Sequence, residues 1–91
     1  MPDEPPTSKH KAAPSLWYYY RQLPPEVQKL ADKNFELLER DLRHPSLQFK
    51  KVGKIWSARI GRDYRALATQ IPIGFLWFWI GTHREYESKL K

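Results

Sequence analysis

The sequence predicts an α+β fold in which N-terminal helices pack on a small antiparallel sheet of three or four strands, with a short C-terminal helix. Two patterns lead to this prediction. Residues 26–42 repeat apolar side chains at helical spacing, and residues 47–70 form short segments of alternating side chains between turns, followed by an apolar segment at residues 75–80. The 91 residues suffice for one domain, and four Trp, five Tyr and four Phe supply the bulk that so small a core needs.

The first part of the chain, residues 1–14, is predicted to be a disordered tail before a folded domain at residues 15–91. Four prolines and no periodic apolar residue occur in this tail, so it has little to bury. His10 lies there between two lysines and is predicted to be a solvated side chain.

Two helices are predicted next. The apolar residues of the first recur every three or four positions and are Leu16, Trp17, Tyr20 and Leu23, although the run of three tyrosines at residues 18–20 equally suits a strand. Pro24-Pro25 end the first helix and start the second, which is predicted over residues 26–42, because a proline in the first turn loses no hydrogen bond. Pro45 prevents the helix from continuing, because the residue before a proline is disfavoured in the helical conformation. Asn34 falls inside the apolar stripe and is predicted to make a polar contact with a neighbouring element.

The following segment is predicted to be an antiparallel meander. Alternation starts at Leu47, and Gly53, Gly61 and the Pro72–Gly74 region mark its turns. In the first strand of the central hairpin, one face carries Trp56, Ala58 and Ile60 and the other Ser57, Arg59 and Gly61. In the second strand, one face carries Tyr64, Ala66 and Ala68 and the other Arg65, Leu67 and Thr69. Residues 75–80 are apolar on both faces, as in a covered central strand, and Thr82 can cap a short helix at 83–90.

Positive charge is concentrated in the sheet segment. The chain has a formal net charge of +6, and residues 44–70 contain six Lys and Arg residues against Asp63 alone. Lysines on an edge strand can simply deter edge-to-edge pairing, but mixed charges would do this equally well. The imbalance therefore predicts a polyanion or an acidic protein as partner.

Several classes are disfavoured. The longest apolar run, residues 75–80, is far shorter than the roughly 20 residues that span a bilayer. Residues 1–15 lack the apolar region of a secretory signal. Without cysteine there is no disulfide or thiolate site, which is compatible with a cytoplasmic protein. No second histidine or carboxylate stands at ligand spacing from His83, so no metal and no cofactor are expected.

Three segments, taken in order and spacing, resemble the RelE/ParE superfamily of type II toxins over about residues 15–90. These are His44-Pro-Ser-Leu-Gln-Phe-Lys-Lys, Trp56-Ser-Ala-Arg-Ile-Gly-Arg-Asp-Tyr-Arg-Ala and Trp77-Phe-Trp-Ile-Gly-Thr-His-Arg-Glu-Tyr. The resemblance implies an mRNA endoribonuclease, acting on free mRNA or on the ribosome, or an inhibitor of DNA gyrase. It also implies a cognate antitoxin that holds the toxin inactive.

The resemblance also implies roles for individual residues. Arg65, His83 and Tyr86 are the implied catalytic residues: a phosphate-neutralising cation, an acid or base, and a base-stacking or proton-relay group. The implied RNA-binding residues are Lys50, Lys51, Lys54, Arg59, Arg62 and Arg84. The implied reaction is attack of a ribose 2′-OH on its own 3′-phosphate without a metal ion, which only RNA can undergo.

The sequence departs from this family in two places. Members usually open with a strand, whereas residues 15–22 are predicted to be helical. No carboxylate is obviously placed as the general base, which leaves a lysine or His83 itself. A gyrase inhibitor, or a catalytically silent basic module that binds RNA or an acidic protein, are the alternatives to a nuclease.

Overall fold

A computed structural model describes residues 9–89 and confirms the α+β fold. The elements are β1 (Lys9–Ala12), α1 (Pro14–Tyr20), α2 (Pro25–Arg40), β2 (Lys50–Val52), β3 (Ile55–Ile60), β4 (Tyr64–Ile71), β5 (Gly74–Thr82) and α3 (His83–Lys89). The five strands, one more than the largest number predicted, have the order β1-β5-β4-β3-β2. Only β1 is parallel to its neighbour. None of the helices within residues 9–89 has the length and apolar character that crossing a membrane requires.

The additional strand corrects the prediction of a tail over residues 1–14. Lys9–Ala12 pair along the edge of β5, and α1 begins at Pro14, while residues 1–8 lie outside the described part of the chain. His10 is half-buried instead of solvated, because its Nδ1 accepts a hydrogen bond of 3.0 Å from Nε1 of Trp77. The family's opening strand is therefore matched within the stretch that was predicted to be disordered.

Both predicted N-terminal helices are confirmed and cover one face of the sheet, which we call the helix side. Small and branched residues of the strands face them: Ala58, Ile60, Ala66, Ala68 and Ile80, all at most 1% exposed. Asn34 of α2 donates a hydrogen bond of 2.9 Å from Nδ2 to the carbonyl oxygen of Arg59, which confirms the predicted polar contact. The helix side is thus where the apolar core lies.

The opposite face of the sheet, which we call the open face, carries Ser57, Arg59, Arg65 and Leu67, as the alternation predicted. A register irregularity between Leu67 and Ala68 changes the pattern along β5. Trp79 pairs with Leu67 and Trp77 with Ala68, so the two tryptophans lie on opposite faces although they are two residues apart. Trp77 joins the core beneath the helices, and Trp79 anchors a smaller cluster on the open face.

The strand predicted to start at Leu47 starts only at Lys50 in the structure. Pro45–Leu47 form a 3-10 turn that buries Leu47, and Gln48 takes a left-handed conformation with φ 43°. Strand β2 is consequently short, with only Lys50–Val52 paired.

Candidate active site

Two arginines lie side by side on the open face. Arg59 of β3 and Arg65 of β4 are directly opposite each other in the antiparallel register, a placement in which like charges repel. Each guanidinium donates one hydrogen bond of 2.9 Å to a backbone carbonyl, Arg59 to Gly61 and Arg65 to Tyr64. Within residues 9–89, the one close pair of a basic and an acidic side chain joins His83 and Glu87, so neither arginine has a carboxylate within salt-bridge distance. Such a pair is suited to bind a phosphate.

Helix α3 turns back over these arginines because its start is held in two ways. Thr82 and Glu85 form a capping box: Oε1 of Glu85 accepts from the Thr82 backbone N–H at 2.9 Å, and Oγ1 of Thr82 accepts from the Glu85 N–H at 3.1 Å. The backbone N–H of His83 also donates to the carbonyl oxygen of Asp63 at 2.7 Å, which ties α3 to the β3–β4 turn. The predicted cap at Thr82 is confirmed.

Tyr86 connects the helix to the arginines. Its ring packs with Leu67 and Trp79 and is only 6% exposed. The Cζ atom of Arg65 lies 5.9 Å from the centroid of the Tyr86 ring, within the range of a cation–π contact. Tyr86 is therefore a buried support for Arg65 on the open face.

His83 completes the group. Its ring stacks on Tyr86 with centroids 5.8 Å apart, and its Nε2 lies 3.7 Å from Oε2 of Glu87, one helical turn further on. The side chain is 45% exposed, so it is open to a substrate. Arg65, Tyr86 and His83, the three predicted catalytic residues, are thus brought together on one face of the sheet.

The pKa of Arg65 reflects its burial and its charged neighbours. Partial burial of the guanidinium and the neighbouring Arg59 lower the pKa of Arg65, while Tyr86 and Glu87 act in the opposite direction. Arginine stays charged at neutral pH because its pKa begins so high. The site therefore holds two permanent cations beside one imidazole and one carboxylate.

Glu87 is the residue that sequence reasoning did not single out. Glu85 is engaged in the helix cap and Asp63 lies in a turn, which leaves Glu87 as the carboxylate in contact with His83. The spacing of four residues between His83 and Glu87 on a predicted helix was the available signal.

The predicted RNA-binding lysines are divided by the sheet. Lys50 is directly opposite Ser57 and therefore shares the open face with Arg59. Lys51 is opposite Trp56 and faces the helix side. Lys54 is exposed in the β2–β3 turn. Of the three lysines, only Lys50 is placed on the same face as the arginine pair.

Two further predicted arginines lie at the margin of the site. Arg62 is exposed in the β3–β4 turn, next to the Asp63 carbonyl that holds α3. Arg84 is exposed on α3, next to His83. Within residues 9–89, no three His, Asp or Glu side chains come together as a metal site would need.

Comparison with known proteins identifies the fold. No protein-family model matches the chain, and no curated protein matches its sequence. The RelB–RelE antitoxin–toxin complex from Methanococcus jannaschii contains a similar chain, with a TM-score of 0.69 and 12% identity over 89% of this chain and 99% of that one. The RelBE2 toxin–antitoxin complex from Mycobacterium tuberculosis gives a TM-score of 0.67 and 18% identity over 85% of this chain and 99% of that one.

A third similar structure is the YoeB–YefM complex from Staphylococcus aureus, with a TM-score of 0.62 and 14% identity over 82% of this chain and 95% of that one. At such identities the similarity establishes the fold. The chain has the RelE fold, so the resemblance first drawn from three sequence segments is confirmed at that level.

Proposed function

We propose that this protein is the toxin of a type II toxin–antitoxin module and that it cleaves mRNA without a metal ion. The observation that carries the proposal is the meeting of Arg59, Arg65 and His83 around the buried ring of Tyr86. The RelE fold supports it, because the similar chains come from toxin–antitoxin complexes.

In the proposed reaction a ribose 2′-oxygen attacks the adjacent phosphorus while the bond from phosphorus to the 5′-oxygen breaks. The products are a 2′,3′-cyclic phosphate and a 5′-OH. The proton of the 2′-OH goes to a base, and an acid donates a proton to the leaving 5′-oxygen. Negative charge grows on the phosphorane oxygens, which is where fixed cations lower the barrier.

Each residue of the site has a place in this scheme. Arg65 and Arg59 bind the scissile phosphate and stabilise the phosphorane, where loss of one such donor costs about 2.7–4 kcal/mol. His83, at the exposed rim, transfers a proton, since imidazole exchanges protons near neutral pH. Glu87 contacts the imidazole and helps to hold the orientation of its ring. Tyr86 holds Arg65 and His83 in position, because so little of its ring is exposed.

The RNA strand would lie along the open face. Lys50 shares this face and would bind a phosphate beyond the arginine pair. Arg84 and Arg62 flank His83 and the β3–β4 turn, where they would bind the strand at the other side of the site. Lys51 and Lys54 lie further away and would contribute mainly through long-range attraction.

The proposed antitoxin would cover the same face with an acidic segment that folds on binding, since opposite charges speed and orient association. The site of action would be the cytoplasm, where mRNA is translated. No part of the proposed reaction needs a cofactor.

To test the proposal, the purified protein is incubated with free mRNA and with mRNA on translating ribosomes, and the new 5′-OH ends are mapped. We expect discrete ends that are absent with His83→Ala, and growth arrest in cells that the co-expressed antitoxin prevents. Intact mRNA at an excess of protein would contradict the nuclease proposal. Growth arrest that persists in His83→Ala together with blocked supercoiling would indicate DNA gyrase as the target. No growth arrest at all would indicate a silent binding module.

A further inference from the structure

A cavity that the proposed chemistry does not use lies on the helix side. It has a volume of about 260 Å³ and opens between β1, α1 and α2. Three aromatic rings line it, those of Trp17, Phe35 and Trp77. Trp17 is 43% exposed, whereas Trp77 is buried and forms the base of the cavity. An exposed tryptophan at the mouth of an aromatic cavity leaves a large apolar surface in contact with water.

The charge of this cavity is opposite to that of the open face. Asp32, Glu36 and Glu39 line it from α2, at spacings of four and three residues that place them on one stripe. Lys11 is the one Lys or Arg among the lining residues. Oδ1 of Asp32 already accepts a hydrogen bond of 2.8 Å from Tyr20, and the ion pair found within residues 9–89 does not involve this stripe.

His10 adds no compensating positive charge. Its ring stacks on Phe75 at 5.6 Å, and its Nδ1 must stay unprotonated to accept the hydrogen bond from Trp77. Burial lowers the pKa of His10, although Glu39 opposes this effect. The cavity of a protein with a net charge of +6 therefore joins aromatic walls to a negative rim.

We propose that this cavity binds an arginine side chain presented by a protein partner. A guanidinium can stack on the Trp17 ring while it donates paired hydrogen bonds to Glu36 or Glu39. Lysine fits less well, because its compact and strongly hydrated ammonium neither stacks nor forms paired bonds. Residues 1–8 contain Asp3 and Glu4 but no Lys or Arg, so charge complementarity favours a partner over that segment. The inference does not depend on whether the open face cleaves RNA.

The experiment is a titration of the full chain with a capped Gly-Arg-Gly peptide, followed by two-dimensional NMR of the indole N–H groups. A Gly-citrulline-Gly peptide is the matched control, because citrulline keeps the shape of arginine without its charge. We expect saturable shifts at Trp17 and Trp77 with the arginine peptide and none with citrulline. Equal shifts with both peptides, or shifts only at open-face residues, would overturn the proposal.

Variants locate the binding. The double variant Glu36→Gln with Glu39→Gln should weaken the arginine peptide about tenfold, because it removes two carboxylates from the rim. Glu26→Gln, on the same helix but outside the cavity, should leave the affinity unchanged. Equal affinity in the double variant and the Glu26 control would contradict the proposal. Raising the protein concentration without any peptide should leave the indole signals of Trp17 and Trp77 unchanged. Shifts of these signals with protein concentration would mean that a second copy of this chain occupies the cavity.

Discussion

The two faces of the sheet differ in charge and in burial, although the same strands supply both. On the helix side β3 and β4 contribute Ala58 and Ala66, which are fully buried. On the open face the residues adjacent to these alanines along the same strands are Arg59 and Arg65. Strand alternation thus places core residues and cations at neighbouring positions of one strand, on opposite faces of the sheet. We therefore expect substitutions on the helix side to change stability and substitutions on the open face to change the proposed activity.

The largest effect is expected from Trp77→Ala, which tests whether the helix side carries the stability. This substitution removes a ring that is 1% exposed and should lower the free energy of unfolding by about 3–5 kcal/mol. Trp17→Ala removes a side chain that is 43% exposed and should lower the free energy of unfolding by less than about 1 kcal/mol. Urea denaturation of the two variants is the measurement. Equal losses would mean that the cavity mouth is as important for stability as its base.

Arg65→Ala should have the next largest effect, and on activity instead of stability. Loss of one phosphate ligand should reduce mRNA cleavage by about 10²–10³, a barrier increase of about 2.7–4 kcal/mol. Stability should be unchanged or slightly higher, because the repulsion by Arg59 disappears. Arg40→Ala, on the exposed surface at the end of α2, is the control, and cleavage and thermal unfolding should be measured for both. An equal loss of cleavage in the control would show that Arg65 has no special role in the reaction.

Glu87→Gln should have a smaller effect on the same face. The contact of 3.7 Å with His83 is exposed, so its loss should cost about 0.2–1 kcal/mol, or less than about fivefold in the cleavage rate. Glu85→Ala should instead lower stability by about 0.5–1.5 kcal/mol through the lost cap. A cleavage rate identical to that of the unaltered protein would show that Glu87 has no part in proton transfer.

The smallest expected effect is the pH dependence of stability that His10 contributes. Burial lowers the pKa of His10 in the folded protein, so the unfolded chain binds the proton more tightly. Stability should therefore be complete above about pH 6.5 and decrease as the pH falls through the lower folded value. His10→Gln should remove this part of the pH dependence, whereas His83→Gln, on the open face, should leave it in place. The same dependence of the free energy of unfolding on pH in the unaltered protein and in His10→Gln would contradict this account.

Local patterns in the sequence predicted much of the fold and part of the site. The period of α2, its start beside Pro24-Pro25, the two faces of β3 and of β4 and the cap at Thr82 were predicted correctly, although α2 ends at Arg40 and not at residue 42. Each depends on residues within about one turn or one hairpin of each other, so propensity and alternation are sufficient. The concentration of positive charge in residues 44–70 was equally visible.

Pairings between distant residues could not be predicted in this way. Lys9–Ala12 have no strand signal of their own and pair with β5 because its edge offers free backbone groups. The register irregularity that separates Trp77 from Trp79 likewise leaves no mark in the alternation of β5. The acidic and aromatic cavity combines residues of β1, α1, α2 and β5, which only the packed molecule brings together.

Which side chains share a strand face or a helix stripe can be read from the sequence alone, because these relations follow from the local geometry of the backbone. The position of α3 over the open face, where His83 and Tyr86 meet Arg65, depends instead on how the packed elements fit together. The physical reason is that such a meeting depends on the free energy of burying Tyr86 against Leu67 and Trp79, and this burial exists only once the sheet has formed.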